Sequence, residues 1–347
     1  MSIESFTFGR LGDVVVPGFV LRNAAGMAAK LVAYGARLTE LFLPDAQGRL
    51  ADVVLGFDTL AQYQASDAYM GATCGRYGGR IRNGRFPLEG RLLQLSLNEG
   101  SQHAHGGQLG FDRKVWQAET DAASNQVVFT LTSPDGEEGY PGTVTASTSY
   151  RLSDTHMLEI VMRAHSDRTT VINMLHHTYW NLAGHDNGDV RAHRLELPAD
   201  YYLPIDETLV PTGEVRSVVG TAFDFRVAKP IGQDLDAVPT AAGGYDHNWC
   251  INGPGDELRR CASLVDPESG RALDIFSTEP GVQLYTGGHL GESVVGKGGG
   301  RYRQYAGVAL ETQRFPDAPN LPHFQSARLG AGTTYEHRMQ IRLRSES

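Results

Sequence analysis

Apolar and polar positions alternate with a period of two along most of this chain. The clearest run is Thr334–Arg344, where Tyr335, His337, Met339, Ile341 and Leu343 share one face and Glu336, Arg338, Gln340, Arg342 and Arg344 the other. That is the signature of an antiparallel strand buried on one side, with His337 as a core or sheet-face residue. Further strands are predicted at Gln126–Thr132, Met157–Met162, Gly281–Thr286 and Val308–Gln313. Turn signals separate such runs at Pro134-Asp135-Gly136, Tyr140-Pro141-Gly142, Asn252-Gly253-Pro254-Gly255 and Gly298-Gly299-Gly300. Segments with a 3.6-residue period are scarce. Arg22–Phe42 contains helix-favouring alanines, yet Lys30–Leu43 divides into two short strands around Tyr34-Gly35. So many antiparallel strands must hide their edges by stacking or closing. The expected fold is all-β, a large antiparallel β-sandwich forming one domain over residues 1–347, because no linker, internal repeat or low-complexity tract divides the chain.

Composition narrows the function. Glycine, at 41 of 347 residues, is abundant as tight turns require, and the 41% hydrophobic content can fill a large core. A formal net charge of -9 argues against a nucleic-acid or anionic-membrane partner, which would call for a basic surface, and favours a small neutral ligand. Cys74, Cys250 and Cys261 lack metal-type spacing and are odd in number, so they are expected to be reduced and buried. No apolar run approaches the ~20 residues of a membrane helix and the N-terminus lacks a signal pattern, so a cytoplasmic location is expected.

Two distant stretches carry the candidate chemistry. In Met174–Leu182, alternation puts Val171, Asn173, Leu175 and His177 on one face and Ile172, Met174 and His176 on the other, so the adjacent histidines cannot serve one site. In Val308–Pro316, Glu311 stands alone among small and apolar neighbours, a setting that raises a carboxyl pKa. A histidine near its usual pKa of about 6.5 would complement it as a proton donor. His103-Ala104-His105 lies in a glycine-rich loop; as a metal pair it lacks a third ligand of recognisable spacing, so no metal and no cofactor are expected. Gly75-Arg76-Tyr77-Gly78-Gly79-Arg80 lacks the ending and context of a phosphate loop, and its arginines read better as donors to hydroxyls or partners of carboxylates. Asp246, beside Tyr245 and Trp249, suits a sugar, whose hydroxyls need acceptors and whose C–H faces stack on rings.

Taken in order, Gly71-Ala72-Thr73-Cys74-Gly75-Arg76-Tyr77, Arg80-Ile81, His105-Gly106-Gly107, the block Ser133–Gly142, His177-Thr178-Tyr179-Trp180-Asn181-Leu182, Tyr245-Asp246-His247 and Ala309-Leu310-Glu311-Thr312-Gln313 resemble the aldose 1-epimerase, or galactose mutarotase, family. The resemblance extends from near Asn23 almost to the end, and departs from the family pattern at Gly78-Gly79, Ala104 and Leu321–Ser326. It implies a β-supersandwich with a shallow sugar cleft, no cofactor, and a free aldohexose as substrate. It also implies Glu311 as general base on the anomeric hydroxyl and His177 as general acid on the ring oxygen. His105 would lie near that oxygen, Arg80 and Asp246 would hold hydroxyls, and Gln283, in Glu279-Pro280-Gly281-Val282-Gln283, would lie near the cleft. The assembly would be a monomer or homodimer. Alternatives are a non-catalytic sugar-binding protein, or a hexose-6-phosphate epimerase drawing on Arg76, Arg82, Arg85 and Arg113 for the phosphate. A glycoside hydrolase would need a second carboxylate facing Glu311.

Overall fold

In the computed structural model, which describes residues 2–238 and 240–345, antiparallel strands dominate and the sole α-helix among those residues is Leu60–Ala65. Thr59 caps that helix, accepting from the Gln62 N–H while the Gln62 side chain accepts from the Thr59 N–H. The strand pattern read from sequence is recovered as Gln126–Ser133, Met157–Ser166, Gly281–Tyr285, Val308–Gln313 and Thr334–Ser345. The alanine-rich N-terminal stretch also forms strands, Ala28–Val32 and Arg37–Pro44, as the Tyr34-Gly35 break implied.

Three sheets carry the architecture. The first is an N-terminal meander of five strands from Ser2–Leu11 to Leu50–Asp52. The second has nine strands; Thr334–Ser345 lies at its middle between Met157–Ser166 and Arg271–Ser277. The third has six, in the order Tyr179–Trp180, Val308–Gln313, Gly281–Tyr285, Asp246–Cys250, Tyr201–Leu203 and Arg216–Ser217. Apolar side chains of all three, among them Leu31, Phe129, Ile341, Trp249 and Leu310, join one buried cluster. His337 is fully buried there: its ring bonds to Met174 O, Ser277 Oγ and Thr312 Oγ1, tying the nine-stranded sheet to the six-stranded one.

The two faces of the six-stranded sheet differ in chemistry, and that difference creates the site. Register pairs Glu311 with Gln283 and Gln283 with Asn248, while Tyr285 pairs with both Ala309 and Asp246. Since side chains alternate along a strand, Glu311, Gln313, Gln283, Tyr285, Asp246 and Asn248 share one face. Leu310, Val282, Leu284 and Trp249 project from the other into the core. The sequence reading set Trp249 beside the sugar. It is instead completely buried, its indole N–H donating to Phe223 O at 2.9 Å.

Candidate active site

The polar face of the six-stranded sheet forms the floor of a cleft of about 640 Å³, a volume within the range usual for small-ligand sites. All six sequence-derived candidates, Arg80, His105, His177, Asp246, Gln283 and Glu311, line it. His177 ends the short strand Leu175–His177, which pairs with Ala72–Cys74. Its carbonyl accepts from the Gly71 N–H at 2.8 Å, and its ring stacks on Tyr69 and Tyr179 with centroids 5.7 and 5.0 Å away. His176, on the opposite side of that strand, bonds to Thr178 Oγ1 at 2.6 Å and Tyr150 OH at 3.2 Å and stays out of the cleft.

His105 occupies a left-handed turn (φ 49°) directly after the strand His103–Ala104. Its N–H donates to Gly79 O at 3.0 Å, and its Nδ1 accepts from the Gly79 N–H at 3.3 Å. The second bond leaves the proton of the neutral ring on Nε2. Gly106 is obligatory here, because a Cβ on it would lie 1.7 Å from Gly75 O. His103 serves the scaffold, bonding to Ser96 O and Tyr140 OH, so His-x-His is no chelating pair.

His177 Nε2 and Glu311 Oε1 lie 3.4 Å apart, and both side chains are almost completely buried. Burial, with Asp246 nearby, pushes the Glu311 carboxyl well above its usual value, against a smaller opposing pull from Arg80. The expectation for His177 needs correcting. Burial and the neighbouring His105 hold it well below 6.5, so the ring is far less basic than a solvated histidine. His105 is lowered to about 3 by burial and by Arg80.

Asp246 and Arg80 form the polar wall. Burial acts to raise the Asp246 pKa, but Arg80, Gln283 and His247 outweigh it and the net shift is downward. Its Oδ1 accepts from Gln283 Nε2 at 2.7 Å and its Oδ2 from Arg80 Nη1 at 3.1 Å. Arg80 also spans Glu99 with bonds of 2.5 and 2.9 Å. Sequence reasoning missed Glu99 as a cleft residue, and it missed Tyr69, Tyr179, Tyr285, Asn248 and Gln313. For Asn248 and Gln313 the signal lay in the strand register, which one sequence does not reveal. Among the buried polar atoms left without a partner, four belong to cleft residues: His177 Nδ1, Glu311 Oε2, Asn248 Oδ1 and Gln313 Oε1.

The four arginines set aside for a phosphate do not line the cleft. Arg76 is buried and bonds to Ser133, Pro134 and Pro141; Arg82 pairs with Asp206; Arg85 bonds to Gln94; Arg113 pairs with Asp67. Arg80 is the only arginine or lysine on the cleft lining among the described residues. Cys74 and Cys261 are buried and unpaired as expected, whereas Cys250 is only half-buried.

An all-β sandwich with a buried imidazole–carboxyl pair beside an Arg–Asp wall in one cleft has the fold class of the galactose mutarotases. The chain belongs to the aldose 1-epimerase family, whose model matches residues 17–342. It is 41% identical to galactose mutarotase of Bos taurus over 339 residues, 97% of each chain. Identity to aldose 1-epimerase of Escherichia coli (strain K12) is 38% over 306 residues, 88% of each. Among solved structures, an aldose epimerase homologue from C. elegans superposes with a TM-score of 0.88 at 30% identity, covering 94% of this chain and 98% of that one. Galactose 1-epimerase from Lactobacillus acidophilus NCFM gives 0.86 at 29% identity, covering 99% of each.

Proposed function

We propose that this protein interconverts the α and β anomers of a free aldohexose such as glucose or galactose, with Glu311 as general base and His177 as general acid. Glu311 takes the proton from the anomeric hydroxyl O1 while His177 delivers one to the ring oxygen O5. The C1–O5 bond breaks as the C1–O1 bond becomes a carbonyl. Rotation about C1–C2 then presents the other face of the aldehyde, and reclosure with the proton roles reversed yields the other anomer. Atoms and electrons balance without a cofactor, and positioned acid–base groups contribute typically ~10²- to 10⁴-fold in rate.

The observation that carries this reading is the 3.4 Å approach of His177 Nε2 to Glu311 Oε1 in a cleft lined by Arg80, His105, Asp246 and Gln283. The raised carboxyl and the weakly basic imidazole share one proton, and the reactive assignment puts it on His177. Arg80 and Asp246 hold sugar hydroxyls, His105 offers its Nε2–H toward the ring oxygen, and Gln283 holds Asp246 in place. Both Asp246 oxygens are engaged, which disfavours it as the second free carboxylate of a hydrolase. The presence of both base and acid favours catalysis over simple sugar binding.

Apolar side chains of all three sheets share one buried cluster, which supports a single domain over 1–347. Among the described residues no helix is long and apolar enough to cross a membrane; the three unpaired cysteines support a reducing, cytoplasmic setting. Polarimetry of freshly dissolved α-D-glucose and α-D-galactose tests the activity. Approach to equilibrium no faster than in buffer alone would reject it.

A further inference from the structure

We propose that His105, His177 and Glu311 also form a binding site for a first-row divalent transition metal ion of the Zn²⁺ type, and that an ion held there shuts the enzyme off. The inference rests on the acid–base reading of the same cleft and adds an inhibitory ligand to it. One ligand atom from each residue lies within 4.8 Å of the other two. The His177 Nε2 to Glu311 Oε1 separation of 3.4 Å already matches the spacing of about 3.3 to 3.5 Å between two ligands of a tetrahedral zinc ion with bonds near 2.0–2.1 Å. Closing the third corner takes a small side-chain adjustment at His105, which is the least buried of the three.

The donor set itself selects the ion. Two imidazoles and one carboxylate suit Zn²⁺, Co²⁺ or Ni²⁺, whereas Mg²⁺ and Ca²⁺ prefer sites made of oxygen. For His105 to ligate through Nε2 its ring proton moves to Nδ1, so the same side-chain adjustment gives up the bond from the Gly79 N–H, a long one at 3.3 Å. Glu311 Oε1, the oxygen that faces His177, would be the ligand, and Oε2 has no hydrogen-bond partner that a turn of the carboxyl group would break. The fourth position would open to the cleft. A metal there occupies the oxygen that accepts the anomeric proton and the nitrogen that protonates O5. Sugar and metal therefore exclude each other.

The test uses full-length protein stripped with a chelator and then freed of it. Titration with Co²⁺ should develop a visible ligand-field band that saturates at one ion per chain, gives way to Zn²⁺, and weakens when D-galactose is added. Zn²⁺ should inhibit mutarotation competitively with sugar, whereas Mg²⁺ should do neither. The variant His105→Asn should weaken Co²⁺ binding at least ~10-fold, while His165→Asn, altering an exposed histidine of the nine-stranded sheet, should bind as the parent does. No band in the parent protein, or an unchanged affinity in His105→Asn, overturns the metal site but leaves the epimerase reading intact. Stripped protein that is inactive until Zn²⁺ is added overturns both the inhibition and the metal-free mechanism.

Discussion

His177 and Glu311 face each other at 3.4 Å, and burial drives their proton affinities in opposite directions, the carboxyl up and the imidazole down. Burial thus shifts the proton of the pair toward the carboxyl, and the proposed reactive form is the tautomer with the proton on the imidazole. Glu311→Gln removes the acceptor while preserving size and hydrogen-bonding shape. Turnover should fall at least ~10²-fold with sugar affinity within a few-fold of the parent, as loss of a positioned base predicts. Polarimetry alongside a sugar-binding titration checks both, and near-parental turnover would remove Glu311 from the mechanism.

The same pair sets the pH dependence. His177 below 6.5 means that a second proton enters the pair only in solutions more acidic than an ordinary histidine would need. Glu311 above 4.5 means that the pair keeps its one proton to a pH well beyond the ordinary carboxylate value. Activity should therefore fall on the acid side as the second proton binds, below the range of an ordinary histidine, and on the alkaline side as the last one leaves, above the range of an ordinary carboxylate. An acid limb in kcat centred at or above 6.5, measured with metal chelated, would contradict this.

Much of the fold could be read from one sequence, because period-two alternation in Thr334–Arg344 and Val308–Gln313 needs no partner strand to be recognised. The separate fates of His176 and His177 followed from the same alternation. Sheet register is a different kind of information: that Gln283 lies opposite Glu311, and Asn248 opposite Gln283, depends on which strands meet. Glu99 entered the site for a similar reason, through a loop whose approach to Arg80 leaves no local pattern. Trp249 was misplaced because adjacency to Asp246 was taken as a shared surface, although residues three apart on a strand point oppositely. Burial, which lowers the His177 pKa, likewise belongs to the assembled structure.

Arg80→Met should show how the polar wall works. The change leaves Asp246, with a side chain only 9% exposed, without its cation, and releases the more exposed Glu99 at 44%. Breaking a buried ion pair from one side typically costs about 3–5 kcal/mol; with Glu99 half in solvent, the lower end is expected. Sugar KM should rise at least ~10-fold, since the remaining carboxylates lose the group that orients them. Urea unfolding and initial-rate kinetics measure the two effects, and a parental KM would place Arg80 outside substrate recognition.

A phosphorylated hexose should be a poor substrate. Arg80 is already shared between Glu99 and Asp246, and Asp67 at the rim is paired with Arg113. A phosphate dianion would meet more carboxylate than cation, and like-charge contacts across an interface cost several kcal/mol. The kcat/KM for glucose 6-phosphate should be at least ~10²-fold below that for glucose. Comparable values would revive the hexose-6-phosphate reading.

Glu311 should also cost stability for the sake of function. A carboxyl whose folded-state pKa is raised binds more protons folded than unfolded, so its contribution is fully present below the ordinary value of 4.5 and is lost as pH rises through the folded value. His177 acts in the opposite sense: its contribution is present above 6.5 and lost as pH falls through its depressed value. Glu311→Gln abolishes the first dependence and leaves the second. The variant's melting temperature should therefore match or exceed that of the parent in mildly alkaline buffer, with the advantage narrowing toward pH 4.5. Calorimetric scans across that interval decide the matter. A variant less stable than the parent at alkaline pH would mean that the ionised carboxylate is well compensated where it sits, and that its proton affinity is not raised by burial.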